Sequence, residues 1–325
     1  MKLCVFGAGA VGGHVAARLA RGGAVVSVVA RGAHLAAIQA RGLTVHTPTE
    51  TFQTRVKASD DPATLGVQDA VIVTLKAPAL PTLAATIGPL LGPDTAVVFA
   101  MNGIPWWYFY REGGPYDGKR LERLDPDGAV WSAVGPERTI GGVIYSACTV
   151  IEPGIIQVAN ADNRLVVGEP DGTKSARAEA FAAALRAGGM GSEAVPDIRN
   201  RVWAKLMLNL GANPMAVLAQ SPGSDVFAEE ACCEALRRIG NEVTALAHAM
   251  GCQVTADAEA QIRSARRLQH TASIVQDLQR DRPMEIEAIF AAPLELARMV
   301  GVATPTLDLL VALAKLRARA AGLYQ

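Results

Sequence analysis

The sequence lacks the spaced cysteine pairs and clustered histidines that mark metal sites. Its five cysteines (Cys4, Cys148, Cys232, Cys233 and Cys252) are odd in number and show no C-x-x-C spacing. A disulfide or zinc framework is therefore not expected, and they read as small buried hydrophobes of a reducing compartment. The five histidines (His14, His34, His46, His248 and His270) form no ligand pattern and are expected to be either satisfied in the core or exposed. An excess of one charge is missing too, with 31 basic against 31 acidic side chains. Nothing electrostatic therefore points to nucleic acid or an anionic membrane as partner. No apolar run is long enough to span a bilayer. The run Met1–Phe6 meets glycines too soon for a signal peptide. The expectation is a metal-free, cytoplasmic protein.

What is present is 325 residues, half of them hydrophobic, enough for two domains. Lys2–Phe6, Ala24–Ala30, Ala70–Leu75 and Ala96–Ala100 are continuous apolar runs bounded by Gly, Pro or Asp. Strands buried on both faces look like this, so a parallel sheet covered by helices is expected. Thr139–Val150, Gly154–Ala159 and Arg164–Gly168 follow. Turns at Glu152-Pro153-Gly154 and near Ala161-Asp162-Asn163 suggest that these are antiparallel. Lys174–Arg186 reads as a further helix. Beyond Pro196 strand signals vanish, and helices are expected over Ile198–Ala219, Val226–Met250, Ala256–Arg280, Pro283–Val300 and Pro305–Ala321. Thr304 and Pro305 stand at the N-cap and N1 positions of the last. The fold class is α/β, with an N-terminal Rossmann-type domain over residues 1–196 and an all-α domain over 197–325.

The sharpest motif is Gly7-Ala8-Gly9-Ala10-Val11-Gly12, set between a strand and a helix that runs to about Arg21. The first glycine permits the turn and the second lets backbone approach a pyrophosphate. The third lets helix and strand pack closely, and the helix N-terminus supplies N–H groups. The second strand ends at Arg31, where NAD sites carry an acidic residue, and an arginine there accommodates a 2′-phosphate. NADP (NADPH) is the cofactor this pattern favours over NAD. Lys76 and Asn102 close the third and fourth strands, at the sheet edge where ligands of open α/β sheets bind. Either is also compatible with an ordinary loop residue.

The segment Ile198–Ala219 is apolar almost all round, so it is expected to be buried. One polar line crosses it, Lys205, Asn209 and Asn213, at i, i+4 and i+8. Pro214 is expected to interrupt the helix and bias Asn213 away from it. A desolvated lysine gives up a proton near neutrality. Beside a carbonyl receiving hydride it stabilises the alkoxide and protonates it. The amides suit the carboxylate and hydroxyl of a small keto acid.

Together these residues resemble the ketopantoate reductase (2-dehydropantoate 2-reductase) family over essentially the whole chain. The matching pieces are Gly7–Gly12, Arg31, Val73-Thr74-Leu75-Lys76, Asn102-Gly103 and Trp203-Ala204-Lys205-Leu206. Asn209, Asn213-Pro214, Ser273 and Glu285-Ile286-Glu287 complete the set. The resemblance implies a helical domain like those of 6-phosphogluconate dehydrogenase relatives. It also implies NADPH-dependent reduction of 2-dehydropantoate to (R)-pantoate, a step towards pantothenate and coenzyme A. By the same resemblance Lys205 is the proton donor, and Asn102, Asn209, Asn213 and Ser273 contact substrate. Gly7, Ala8, Gly9, Ala10, Val11, Gly12, Arg31, Lys76, Asn102, Ala147 and Glu285 serve the cofactor. Three departures fall on the substrate side: Gly223 in place of an asparagine, Ile289-Phe290-Ala291-Ala292-Pro293 in place of an Asn-Gly pair, and the aromatic run Trp106-Trp107-Tyr108-Phe109-Tyr110. The run reads either as a wall or lid over substrate or as a hydrophobic plug between the domains. The alternatives are a reductase of a bulkier 2-keto acid and a non-catalytic NADP-binding regulator. The helical domain also offers surface for a possible homodimer.

Overall fold

The computed structural model describes residues 1–267 and 271–324. They divide into two compact units, 1–101 with 105–198, and 102–104 with 199–267 and 271–324. The first unit contains β1 Lys2–Phe6, α1 Ala10–Arg21, β2 Val25–Val29, α2 Gly32–Arg41, β3 Leu43–His46, β4 Thr51–Thr54, β5 Lys57–Ser59 and β6 Ala70–Val73. It continues with α3 Leu80–Thr86, β7 Ala96–Ala100, α4 Ala129–Val134, β8 Thr139–Tyr145, β9 Cys148–Glu152, β10 Ile155–Val158, β11 Arg164–Gly168, α5 Ala176–Ala187 and β12 Gly191–Ala194.

Eight strands form the main sheet in the order β12-β11-β8-β7-β6-β1-β2-β5. From β5 to β8 every neighbouring pair is parallel, and β11 returns antiparallel to β8. The central strands carry almost nothing but buried Val, Ile, Leu, Ala and Phe, as a sheet covered on both faces requires.

A second sheet, β4-β3-β10-β9, is the main departure from the expected organisation. The run Thr139–Val150 is not one strand. It breaks at Ser146-Ala147, with β8 in the main sheet and β9 in the small one. The turn Glu152-Pro153-Gly154 does join antiparallel strands, β9 and β10. The turn near Asp162 instead carries the chain from one sheet to the other, since β10 pairs with β3 while β11 pairs with β8. Helix α1 packs against strands of both sheets, and this accounts for its composition. Gly12 faces the main sheet at Thr74, and Gly13 faces Ile156 and Leu43 of the small one. A helix covered on both sides must be apolar or internally satisfied all round.

The second unit is helical: α6 Ile198–Ala219, α7 Gly223–Val226, α8 Glu230–Ala249, α9 Ala258–Arg267, α10 Ser273–Gln279, α11 Ala292–Met299 and α12 Pro305–Ala320. The expected helix Val226–Met250 starts later, at Glu230. The one expected over Ala256–Arg280 is two, α9 and α10, and its middle lies outside the described residues, as does His270. The one expected from Pro283 opens instead as a π turn over Glu287–Ala291. Pro214 does not interrupt α6, which keeps Asn213 inside its 22 residues. Burial of Trp203, Leu206, Leu210, Met215 and Val217 outweighs the loss of one backbone hydrogen bond at the proline. Leu208 breaks the expected all-round burial and is 46% exposed. Thr304 is the N-cap of α12 but makes no capping bond with its side chain. Glu242 of α8 takes that role, accepting from the Thr306 and Leu307 amides at 2.9 Å each.

Candidate active site

In the first unit the turn between β1 and α1 is fastened to both neighbouring strands. The Gly7 and Ala8 amides donate to the Val29 carbonyl (3.1 and 3.0 Å). The Thr74 hydroxyl donates to the Gly7 carbonyl at 2.7 Å. The three glycines differ in what surrounds them. Gly7 has φ +103° and a Cβ there would lie 2.6 Å from the Leu75 side chain. A Cβ at Gly12 would lie 2.2 Å from the Gly7 carbonyl oxygen and 2.4 Å from Thr74 Oγ1. At Gly9 a Cβ would meet nothing within 4 Å. Gly7 and Gly12 therefore close the turn, while Gly9 borders open space at an α1 N-terminus that no side chain caps. A backbone cradle with room above it and uncapped amides fits a dinucleotide pyrophosphate. Ala8, Ala10 and Val11 complete the cradle, and Ala8 is buried beneath it.

Arg31 is exposed at the end of β2, in extended conformation as the N-cap of α2. Lys76 is half-buried just past β6. Ala147 lies between β8 and β9, with its N–H donating to Asn160 Oδ1 at 2.8 Å and its carbonyl accepting from the Ala159 amide at 2.8 Å. The parallel strands β2, β6 and β8 place all three residues at the carboxyl edge that carries the glycine turn.

Three supports of this edge were not singled out in the sequence. His14 of α1 is fully buried, and Arg18 Nε–H donates to its Nε2 at 3.2 Å. That assigns the imidazole proton to Nδ1, which faces Ser146 Oγ at 3.1 Å. Arg18 in turn pairs with Glu50 at 2.8 Å. Burial first, and the Arg18 charge second, hold the His14 pKa down at about 4, so it stays neutral. Burial pushes the neighbouring Cys148 thiol up to about 11. The second support is Asn160, which holds Ala147 in place. The third is His34, whose Nδ1 accepts from the Gly154 amide at 3.0 Å. Burial lowers its pKa more than the Ala8 carbonyl raises it. The only trace of this relay in the sequence is that His14 and Arg18 sit at i and i+4 on α1.

In the second unit Lys205 and Asn209 are half-buried and Asn213 is 8% exposed, one helical turn apart along α6. Glu285 is buried just before the π turn. Asn102 belongs to this unit through a close backbone approach. The Ile104 amide donates to the Ala288 carbonyl at 2.9 Å, and a Cβ at Gly103 (φ +83°) would lie 2.3 Å from that oxygen. Only glycine fits there, so Asn102-Gly103 and the π turn after Glu285 come together. Ser273 is exposed at the first turn of α10. At Gly223 a Cβ would lie 3.3 Å from the Ala265 carbonyl oxygen, leaving little space for a longer side chain. Phe290 is fully buried within the π turn.

Four of the five residues of the aromatic run are core, and Tyr110 is half-buried. Trp106, Trp107, Tyr108 and Phe109 are 0–3% exposed within the first unit. Trp106 stacks edge-on against Phe99 and Trp131 at 5.3 and 6.0 Å. Side chains fixed in this way do not form a lid. Among the described residues no group of three His, Cys, Asp or Glu could hold a metal. None of their helices is long and apolar enough to cross a membrane.

Two family models match, described as ketopantoate reductase PanE/ApbA over residues 3–107 and its C-terminal domain over 197–318. A 2-dehydropantoate 2-reductase of Mesorhizobium japonicum is 41% identical over the full length of both chains. A crystal structure from Ralstonia solanacearum MolK2, assigned to the ketopantoate reductases, shares 39% identity with TM-score 0.91 and covers 99% of each chain. That of 2-dehydropantoate 2-reductase from Geobacter metallireducens GS-15 shares 28% identity with TM-score 0.85, over 97% of this chain and 99% of that one. Ketopantoate reductases use NADPH. The chain belongs to the ketopantoate reductase family and is an oxidoreductase with a Rossmann-type nucleotide-binding unit and a helical second domain.

Proposed function

We propose that this protein reduces a 2-keto acid with NADPH, that 2-dehydropantoate is the first substrate to test, and that Lys205 is the proton donor. The observation that carries the reading is the line Lys205, Asn209 and Asn213, one turn apart along a largely apolar α6, the first two half-buried and Asn213 buried. Three polar groups in one line on an otherwise apolar helix, partly withdrawn from water, suit the carboxylate, carbonyl and hydroxyl groups of a small keto acid.

Bound NADPH supplies the hydride that the keto carbon accepts. The glycine cradle holds its pyrophosphate, and Arg31 takes the 2′-phosphate. Lys205, as the ammonium, donates a hydrogen bond to the keto oxygen and gives it a proton as negative charge develops there. The resulting amine recovers its proton from solvent. Asn209, Asn213 and Ser273 hold the carboxylate and hydroxyl groups, and Asn102, Ala147, Lys76 and Glu285 serve the cofactor. In this reading residues 1–196 act as the nucleotide domain and 197–325 as the substrate domain, in the cytoplasm.

One feature favours a second substrate: Gly223 contributes no hydrogen-bonding side chain, which suits a keto acid lacking a polar group there. NADPH oxidation is to be followed with 2-dehydropantoate and a series of bulkier 2-keto acids, with NADH as control. The highest kcat/KM for 2-dehydropantoate with NADPH supports the reading. A higher value for a bulkier acid transfers it to that substrate, and turnover with none of them leaves a nucleotide-binding regulator.

A further inference from the structure

Helix α12 is apolar on two opposite faces. Leu307, Val311, Ala314 and Ala318 form the inner one and are buried, where α12 packs on α8. The outer one is formed by Pro305, Leu309, Ala312, Leu313, Leu316 and Ala320, all exposed. Its leucines are among the most exposed large hydrophobics of the chain, at 62% for Leu309, 41% for Leu313 and 57% for Leu316. At 100° per residue these six positions fall within a stripe about 100° wide, the width of a helix-packing face. Single exposed leucines are unremarkable, but a continuous stripe marks an interaction surface.

The stripe is symmetric about a point between Ala312 and Leu313. Reversing the helix about that point puts Leu309 where Leu316 was and Pro305 where Ala320 was. A face of this kind is self-complementary under a two-fold axis, which is what an isologous dimer needs. Charge gives the direction. Asp308 lies near the start of α12, whereas Lys315, Arg317 and Arg319 lie near its end. Asp308 and Arg319 are eleven residues, or about three turns, apart and so share one flank of the stripe. In an antiparallel pair like flanks face each other, so Asp308 meets the partner copy's Arg319, and the helix dipoles oppose. A parallel pair would set the two basic ends side by side. Leu310, next to the stripe, also lines a largely apolar cleft of about 430 Å3 with Met215, Leu218 and Cys232, which extends the surface available to a partner.

We propose that the outer face of α12 is a homodimer interface, packed antiparallel on the same face of a second copy of this chain. Its axis lies between Ala312 and Leu313, with Leu309 against the partner copy's Leu316.

The test is sedimentation velocity on the full chain together with directed cross-linking. The wild type should sediment as a dimer. Leu316→Lys, a change at an exposed position, should raise the dissociation constant about 100-fold or more, because each dimer loses two buried leucines. Circular dichroism melting should show the variant as stable as the wild type. Under mild oxidation, Leu309→Cys chains mixed with Leu316→Cys chains should form a disulfide-linked heterodimer. Leu309→Cys alone should not cross-link, since its two copies stand about 10 Å apart along the axis, beyond disulfide reach. A wild type that stays monomeric up to about 0.1 mM overturns the proposal. So does a dimer indifferent to Leu316→Lys, or one in which Leu309→Cys links to itself as readily as to Leu316→Cys.

Discussion

Gly9 and Gly12 belong to one motif but have different surroundings, and alanine at each should separate nucleotide binding from folding. A methyl group at Gly12 would sit 2.2 Å from the Gly7 carbonyl oxygen and 2.4 Å from Thr74 Oγ1. Neither neighbour can retreat easily, because the Thr74 hydroxyl is bonded to that same carbonyl at 2.7 Å and Gly7 is bonded to Val29. Overpacking of this kind costs about 1–3 kcal/mol, and loss of the Thr74 bond adds about 1 kcal/mol. For a protein of this size each kcal/mol lowers Tm by about 2–4 °C, so Gly12→Ala should melt about 4–16 °C lower. A methyl group at Gly9 meets nothing within 4 Å, and the residue's φ of −69° suits alanine. Gly9→Ala should therefore melt within about 3 °C of the wild type, the small loss reflecting alanine's poorer fit to an N-cap. It should nevertheless weaken NADPH binding at least about ten-fold, because the methyl occupies the space offered to the pyrophosphate. Differential scanning fluorimetry and NADPH fluorescence titration give both numbers. If Gly9→Ala binds NADPH as the wild type does, the cradle is misassigned. If Gly12→Ala melts like the wild type, the close helix–strand packing is not what that glycine serves.

Three further outcomes follow from single residues. His14 is held neutral, with its pKa lowered to about 4 from an unfolded value near 6.5, so the unfolded chain binds the extra proton between those values. Stability should fall as pH drops from about 6.5 to 4, by on the order of 3 kcal/mol at the low end. Urea melts across that range should show a shallower slope for His14→Gln than for the wild type. Glu242→Ala removes the only side chain bonded to the first-turn amides of α12 among the described residues. It should cost about 1–2 kcal/mol, read as a Tm lowered by about 2–8 °C. Arg31→Ala should lower kcat/KM with NADPH at least about ten-fold and leave that with NADH nearly unchanged, as expected for loss of a charge-assisted bond to a 2′-phosphate. An equal loss with both cofactors would contradict that role.

The main sheet was legible because its strands are buried on both faces. Lys2–Phe6, Ala96–Ala100 and Arg164–Gly168 have the bounds that their apolar runs and flanking turns dictate. Ile198–Ala219 was legible because most of its apolar residues are buried, Leu208 excepted. The small sheet was legible only in β10 and its antiparallel turn from β9. Its strands are only four or five residues long, and one of them, Thr-Phe-Gln-Thr, carries three polar side chains. The pairing that joins its two halves, β3 with β10, links segments distant in sequence, and β9 continues an apolar run begun in the other sheet. Pro214 misleads because local preference is weaker than the packing on both sides of it. Of the candidate site, the glycines and the α6 line show as spacing along the chain. The approach of Gly103 to the Ala288 carbonyl does not, since it depends on a π turn that no local pattern announced. The His14–Arg18 relay was hidden for a related reason, as its partners Glu50 and Ser146 lie far off in sequence.

The most direct test of the account is turnover by Lys205→Ala. NADPH oxidation with the best 2-keto acid substrate is to be compared with the wild type, alongside NADPH affinity by fluorescence titration. Removal of the proton donor should lower kcat by about 100-fold or more. NADPH affinity should stay within about three-fold of the wild type, since Lys205 faces the substrate oxygen in this reading and the nucleotide is held by the glycine cradle and Arg31. A Lys205→Ala enzyme that keeps wild-type kcat while binding NADPH normally would contradict the assignment of Lys205 as the acid.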